Sequence, residues 1–187
     1  TMSSDRWQEP DHRPDPLPSR GLTLTSIFLG VVALGLAVGW LLNTDSPSVA
    51  TVGSPAPPFD VENIVGRESI TLDELLQEGR PIVINLMASW CGPCRAEIPE
   101  LSAYADANPD VVVLGVAVED DYESFKVFVT DVRPTYPVAF DDGDMREVYP
   151  SLGLPATFFV NSDGTIGEVF NGILNSEILA ERVARLD

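Results

Sequence analysis

The sequence predicts an α/β fold, with a mixed central sheet flanked by helices and one N-terminal transmembrane helix. Three observations lead there. Residues 22–42, LTLTSIFLGVVALGLAVGWLL, hold no charge over 21 positions. Beyond them, β-branched and apolar runs alternate with amphipathic stretches, the pattern of strand–helix–strand units around one sheet. A hairpin signal and a last amphipathic stretch close the chain, making the sheet parallel at first and antiparallel at one edge.

Residues 1–21 are polar and proline-rich, with almost nothing to bury, and read as a disordered cytoplasmic tail. As a helix, residues 22–42 would reach ~30 Å, enough to cross a hydrocarbon core. Trp40 suits the membrane interface near the far end of that span. A core helix rarely runs this long without a polar face. A signal peptide has a shorter apolar region of roughly 7–15 residues, although Ser48 and Ala50 offer a small-residue cleavage site. A retained signal-anchor fits better. Arg6, Arg13 and Arg20 precede the span and the next basic residue is Arg67, so the C-terminal domain faces out of the cytoplasm. Disulfides form in that compartment.

Residues 43–58 read as a Pro/Ser-rich linker that lifts a single domain, residues 59–187, off the membrane. FDVENIVGRESITL predicts two short strands around Gly66. Thr71 and Glu74 then form a capping box, and Gly79 ends that helix. PIVINLMA predicts a strand buried on both faces, followed by a helix to about Ala107. DVVVLGVAV is a second buried strand. Tyr122, Phe125, Val129 and Val132 mark a helix, YPVAFDD a short strand and DMREVYPSLG a short helix. ATFFVN and TIGEVFNG flank the turn residues Asp163-Gly164, and NSEILAERVARL closes the chain as a helix capped by Asn175 or Ser176. The composition, 44% hydrophobic and 21% charged, is that of a globular protein. Residues 43–187 carry 8 basic and 25 acidic residues, a net charge of −17, which argues against nucleic acid and anionic lipid surfaces as partners.

Both cysteines, Cys91 and Cys94, lie in LMASWCGPCRAEIPEL, residues 86–101. Haem attachment through C-x-x-C needs a following His, and residue 95 is Arg. Structural zinc takes four Cys or His ligands, whereas the only histidine, His12, lies in the tail across the membrane. A copper relay fails for the same reason, so no metal is expected. No flavin or nicotinamide motif is present either, and no cofactor is expected. Gly-Pro between the cysteines at a strand-to-helix junction is poor core filling, which leaves a redox dithiol. Free N–H groups and the dipole at a helix start favour a thiolate, making Cys91 the attacking sulfur. Cys94, one turn on, faces inward and resolves the mixed disulfide. Gly92 lets a partner chain come close, and Pro93 gives up a donor that a first turn does not use. Trp90 either borders the thiol as a flat apolar wall or is a plain core indole.

WCGPC after a buried strand, Pro99 beyond it, and GLPATFFVNSDG resemble thioredoxin-like proteins. With the anchor, the match is to their membrane-anchored extracytoplasmic branch, called TlpA/ResA/DsbE-like, over residues 52–187. The resemblance implies a thioredoxin-like fold, an exposed nucleophile Cys91 and a buried resolving thiol Cys94, which close to a redox disulfide. It implies that Pro99 kinks the active-site helix, that Pro155 is a cis-proline packed against the dithiol, and that Leu154 presents backbone to a bound partner. Cytosolic thioredoxins place a buried Asp six residues before the first cysteine, where this chain has Asn85, which cannot accept a proton. Glu97 stands where extracytoplasmic reductants carry an acid. Partly buried, it would have a raised pKa and shuttle the Cys94 proton. Its plainer reading is a surface carboxylate favoured by the helix dipole. Glu119 is a possible second acid.

The function so implied is a thiol-disulfide oxidoreductase that reduces disulfides in exported proteins. Apocytochrome c is the foremost client, in cytochrome c biogenesis and cell redox homeostasis. The electron donor would be a membrane thiol-relay protein, and the remaining partner is the lipid bilayer through residues 22–42. A thiol peroxidase of the peroxiredoxin type shares the fold but keeps a P-x-x-x-[ST]-x-x-C arrangement, absent from IVINLMASWC. A redox-switched membrane adaptor without catalysis is the third reading.

Overall fold

The computed structural model describes residues 28–35, 49–66, 68–143 and 145–187. The chain divides into two units, Thr1–Asp45 and Ser46–Asp187. In the first, residues 28–35 are helical and exposed, and the rest of the expected tail and span lies outside the described residues. No helix among the described residues is long and apolar enough to cross a membrane.

The second unit holds strands β1 (Asp60–Asn63), β2 (Ser69–Thr71), β3 (Ile82–Met87), β4 (Val112–Ala117), β5 (Val138–Phe140), β6 (Ala156–Val160) and β7 (Ile166–Asn171). Its helices are α1 (Leu72–Gln77), α2 (Gly92–Ala107), α3 (Tyr122–Val132), α4 (Met145–Val148) and α5 (Ser176–Val183). The capping box at Thr71 is formed, Gly79 takes φ +64° just past α1, and Asn175 caps α5. The α/β class and the mixed sheet are as the sequence predicts.

The sheet order is β2-β1-β5-β4-β3-β6-β7. β3, β4 and β5 run parallel in the middle. Antiparallel strands stand at both edges, β6 and β7 at one and β1 and β2 at the other. The sequence predicts only the first of these. The front hairpin takes the second place because β1 pairs antiparallel with β5, through Glu62–Phe140 and Asn63–Ala139.

Successive strand side chains point to opposite faces, so β3 serves two cores. Val83 and Met87 pack with Cys94, Ile98, Leu101, Phe125, Phe128, Phe159 and Leu179, under α2, α3 and α5. Ile82, Ile84 and Leu86 pack with Leu72, Leu114, Tyr149, Phe158 and Ile166 on the other face. Each fully buried side chain of this size stabilises the fold by about 1.5–3 kcal/mol.

Part of the expected linker belongs to this unit. The N–H groups of Ala50, Gly53 and Ala56 donate to the carbonyls of Val148, Ile166 and Gly164 at 2.7–2.8 Å, and the buried Tyr149 hydroxyl donates to the Pro57 carbonyl at 2.6 Å. Ala50 and Ala56 are buried. The Pro/Ser composition suggests a free spacer, but residues 53–56 are bonded to the turn before β7 and to its first residue, Ile166.

Candidate active site around Cys91 and Cys94

β3 delivers the chain to the head of α2. Cys91 is the N-cap, and its Sγ accepts the Cys94 N–H at 3.1 Å, so a helix-start donor does point at this sulfur. The two cysteines are joined as a disulfide with Cα atoms 5.3 Å apart. Cys94 is fully buried and Cys91 keeps 4% of its surface. In the disulfide state the sulfur expected to be exposed is thus nearly covered, and what access remains is on its side.

The surroundings of Cys91 are open. Gly92 and Pro93 are exposed, and nothing lies within 4 Å of where a Gly92 Cβ would sit. Trp90 is 62% exposed, and its Nε1–H donates to the Glu119 carbonyl at 3.1 Å, so it borders the site rather than filling the core. The Asp120 carboxylate accepts the Ser89 N–H and, at 2.7 Å, the Ser89 hydroxyl, fixing the turn ahead of Trp90. Pro99 lies inside α2. The Leu154–Pro155 peptide is cis, with Pro155 buried and its carbonyl accepting the Gly172 N–H at 3.1 Å. Leu154 is half-buried against the cluster that contains both cysteines.

Glu97, one helical turn beyond Cys94, is fully buried, which excludes the surface reading and exceeds the partial burial expected. The buried polar or charged side chains among the described residues are Asn85, Glu97 and Thr157, and they are bonded to one another. Asn85 Nδ2 donates to Glu97 Oε1 at 2.8 Å and to Thr157 Oγ1 at 3.0 Å. The Leu174 N–H donates to Glu97 Oε2 at 2.9 Å. Burial pushes the Glu97 carboxyl up to about 7, against the Leu174 and Asn85 donors, which pull it down. Tyr136 lies close enough that the Glu97 charge, added to burial, pushes its phenol up, and its hydroxyl has no hydrogen-bond partner. Gly115, which pairs with Asn85 across β3 and β4, makes room for that ring. A Cβ there would lie 3.1 Å from Tyr136 and 2.6 Å from Met87.

Glu119 takes no part in this cluster. Its φ is +51°, and its carboxylate, 58% exposed, pairs with Arg146 at 3.4 Å. The second acid expected there is instead a scaffold residue, whose carbonyl holds Trp90. Sequence reasoning misses Thr157, Tyr136, Ser89, Asp120 and the Leu174 amide. The available signal was one polar residue in each of two apolar runs, Asn85 in IVINLM and Thr157 in ATFFV.

The model of the AhpC/TSA family matches residues 52–169. The chain belongs to that family. Its relatives include the thiol-disulfide oxidoreductase ResA of Oceanobacillus iheyensis, 29% identical over 141 residues and covering 72% of each chain. The thiol:disulfide interchange protein DsbE of Pseudomonas aeruginosa is 30% identical, over 86% of this chain and 88% of that protein. Among solved structures, a secreted disulfide oxidoreductase of Mycobacterium tuberculosis matches with a TM-score of 0.58 and 30% identity, over 68% of this chain and 96% of that one. The fold is thioredoxin-like, and the chain is a thiol-disulfide oxidoreductase of the DsbE/ResA type.

Proposed function

We propose that this protein is a membrane-anchored, extracytoplasmic reductant of disulfides in exported proteins, apocytochrome c among them. It would work through the Cys91/Cys94 dithiol, with Glu97 as proton acceptor. A membrane thiol-relay protein supplies two electrons that open the Cys91–Cys94 disulfide. The Cys91 thiolate attacks one client sulfur, the client S–S bond breaks, and a mixed disulfide forms as the first client thiolate leaves. Cys94 passes its proton to Glu97 and attacks Cys91 Sγ, expelling the second client sulfur. The client gains two electrons and two protons. One proton comes by way of solvent from Cys91, the other from Cys94 through Glu97.

The observation that carries this reading is a fully buried carboxyl three residues after the resolving cysteine. A group titrating at about 7 is matched to exchanging a proton with a thiol near neutral pH. Its charge also disfavours thiolates, which favours donating electrons over taking them. The anchor is supported by the uncharged residues 22–42 and by the exposed apolar side chains of Phe28, Leu29, Val31, Val32 and Leu34. A helix apolar on every side is stable in lipid rather than in water. Residues 1–21 would then remain in the cytoplasm. Peroxide reduction is not proposed, because Ile84 and Ala88 stand where the peroxidase arrangement needs Pro and Ser or Thr.

The full chain carrying Cys94→Ser should accumulate clients as mixed disulfides on Cys91, separable on a non-reducing gel and identifiable by mass spectrometry. Absence of any adduct would overturn the reading. A reduction potential of roughly −270 mV or below supports a reductant, whereas one of roughly −120 mV would make the protein an oxidant.

A further inference from the structure

Asn85 and Thr157 are far apart in sequence but directly opposed in the sheet, as register partners of the antiparallel pair β3–β6. Alternation along each strand turns both toward α2: Val83 and Met87 flank Asn85, and Phe159 follows Thr157, all in the core beneath that helix. There they meet Glu97. The side-chain amide of Asn85 uses both its hydrogens, one on Glu97 Oε1 and one on Thr157 Oγ1, while its own Oδ1 has no partner. Swinging the amide over would leave two donors stranded instead of one acceptor, and would aim a carbonyl at a carboxylate. The orientation is therefore set by the two acceptors it serves.

We propose that Asn85 and Thr157 are positioning residues for the Glu97 carboxyl, with Thr157 holding the Asn85 amide so that its donor faces Glu97 and favours the ionised form. This rests on the reading of Glu97 as the proton acceptor for Cys94. Four parts of the chain bear on the carboxyl, directly or through Asn85. Asn85 comes from β3, Thr157 from β6, and the Leu174 N–H from the loop after β7; Tyr136, ahead of β5, senses its charge. Along α2 itself, Cys94 lies one turn away, in a disulfide with Cys91. Among the described residues Asn85 and Leu174 donate to the carboxyl, and of these two the Asn85 donor is held by another side chain. Asn85 thus lowers the carboxyl's proton affinity without itself exchanging a proton, a division of labour that an Asp at this position could not support.

The test is an infrared titration of the oxidised full chain, following the carbonyl band of the protonated buried carboxyl, with Glu97→Gln assigning the band. In the disulfide state no thiol titrates to confuse the reading. The wild-type midpoint is expected at about 7. Asn85→Leu, which keeps the fork at Cγ and removes the donor, should raise it by about one pH unit. Thr157→Val should raise it less, and Thr157→Ser should restore the wild-type value. Asn85→Asp should replace the single transition by two coupled ones. Unchanged midpoints in the folded Asn85→Leu and Thr157→Val proteins, judged by circular dichroism, would overturn the proposal. So would failure of Thr157→Ser to restore the midpoint. Disulfide reduction by Glu97→Gln is scored separately. Shifted midpoints with normal Glu97→Gln activity would uphold the positioning pair and sink the proton-acceptor reading. Fixed midpoints with impaired Glu97→Gln activity would do the reverse.

Discussion

On one face of the sheet Ile84, Leu114, Tyr149 and Phe158 close an apolar core in which the one phenol is satisfied by the Pro57 carbonyl. On the other, Val83, Met87, Phe125 and Phe159 surround the disulfide and the Asn85–Glu97–Thr157 cluster. The same strands make both faces. A polar residue at a single inward position of β3 and of β6 is enough to separate them. One face holds the fold together, and the other carries a buried ionisable group that the fold must tolerate.

The largest expected effect tests that separation by chemistry. Cys91→Ser should abolish reduction of a protein disulfide, as followed by insulin turbidity, while the apolar face keeps the domain folded. Next, Phe158→Ala opens a cavity on the apolar face and should cost about 3–5 kcal/mol in urea unfolding. The fraction that remains folded should reduce disulfides at the wild-type rate; a loss of rate would show that the faces are coupled.

Glu97→Gln should act in the opposite direction. A carboxyl raised from 4.5 to about 7 binds its proton more tightly in the fold than in the unfolded chain. Its contribution is fully favourable below the unfolded value and is lost as pH rises through the folded one. The wild-type disulfide form should therefore lose about 3 kcal/mol between those two values, and Glu97→Gln should not. The variants should unfold alike at acid pH and differ in alkali, with Glu97→Gln the more stable. The smallest effect belongs to the surface. Breaking the exposed Lys126–Glu123 pair, 3.1 Å apart, should change stability by no more than about 0.5 kcal/mol.

Much of this arrangement was legible because it is local. The buried runs of β3 and β4, the capping box at Thr71, and the cysteine pair at a helix start are all written within a few residues of one another. Glu97 was visible as a turn-spaced neighbour of Cys94. What surrounds it was not, because Thr157 and Leu174 arrive from strands and loops 72 and 77 residues away from their partners. Strand register decides that meeting, and no spacing in the sequence encodes it. Glu119 misled for a different reason. Its place beside the site is right, but a left-handed backbone and the Arg146 guanidinium turn its carboxylate outward. The second sheet edge was missed because strand signals mark where a strand is and not what it pairs with.

The segment bonded to the start of β7 has a practical side. Tyr149 and Ile166 depend on Pro57 and Ser54 for hydrogen bonds, at 2.6 and 2.8 Å. A fragment trimmed at residue 59 would strip a partner from a buried phenol and leave the backbone at the start of edge strand β7 open to passing chains. Whoever wishes to cut this domain free should place the break ahead of Val49.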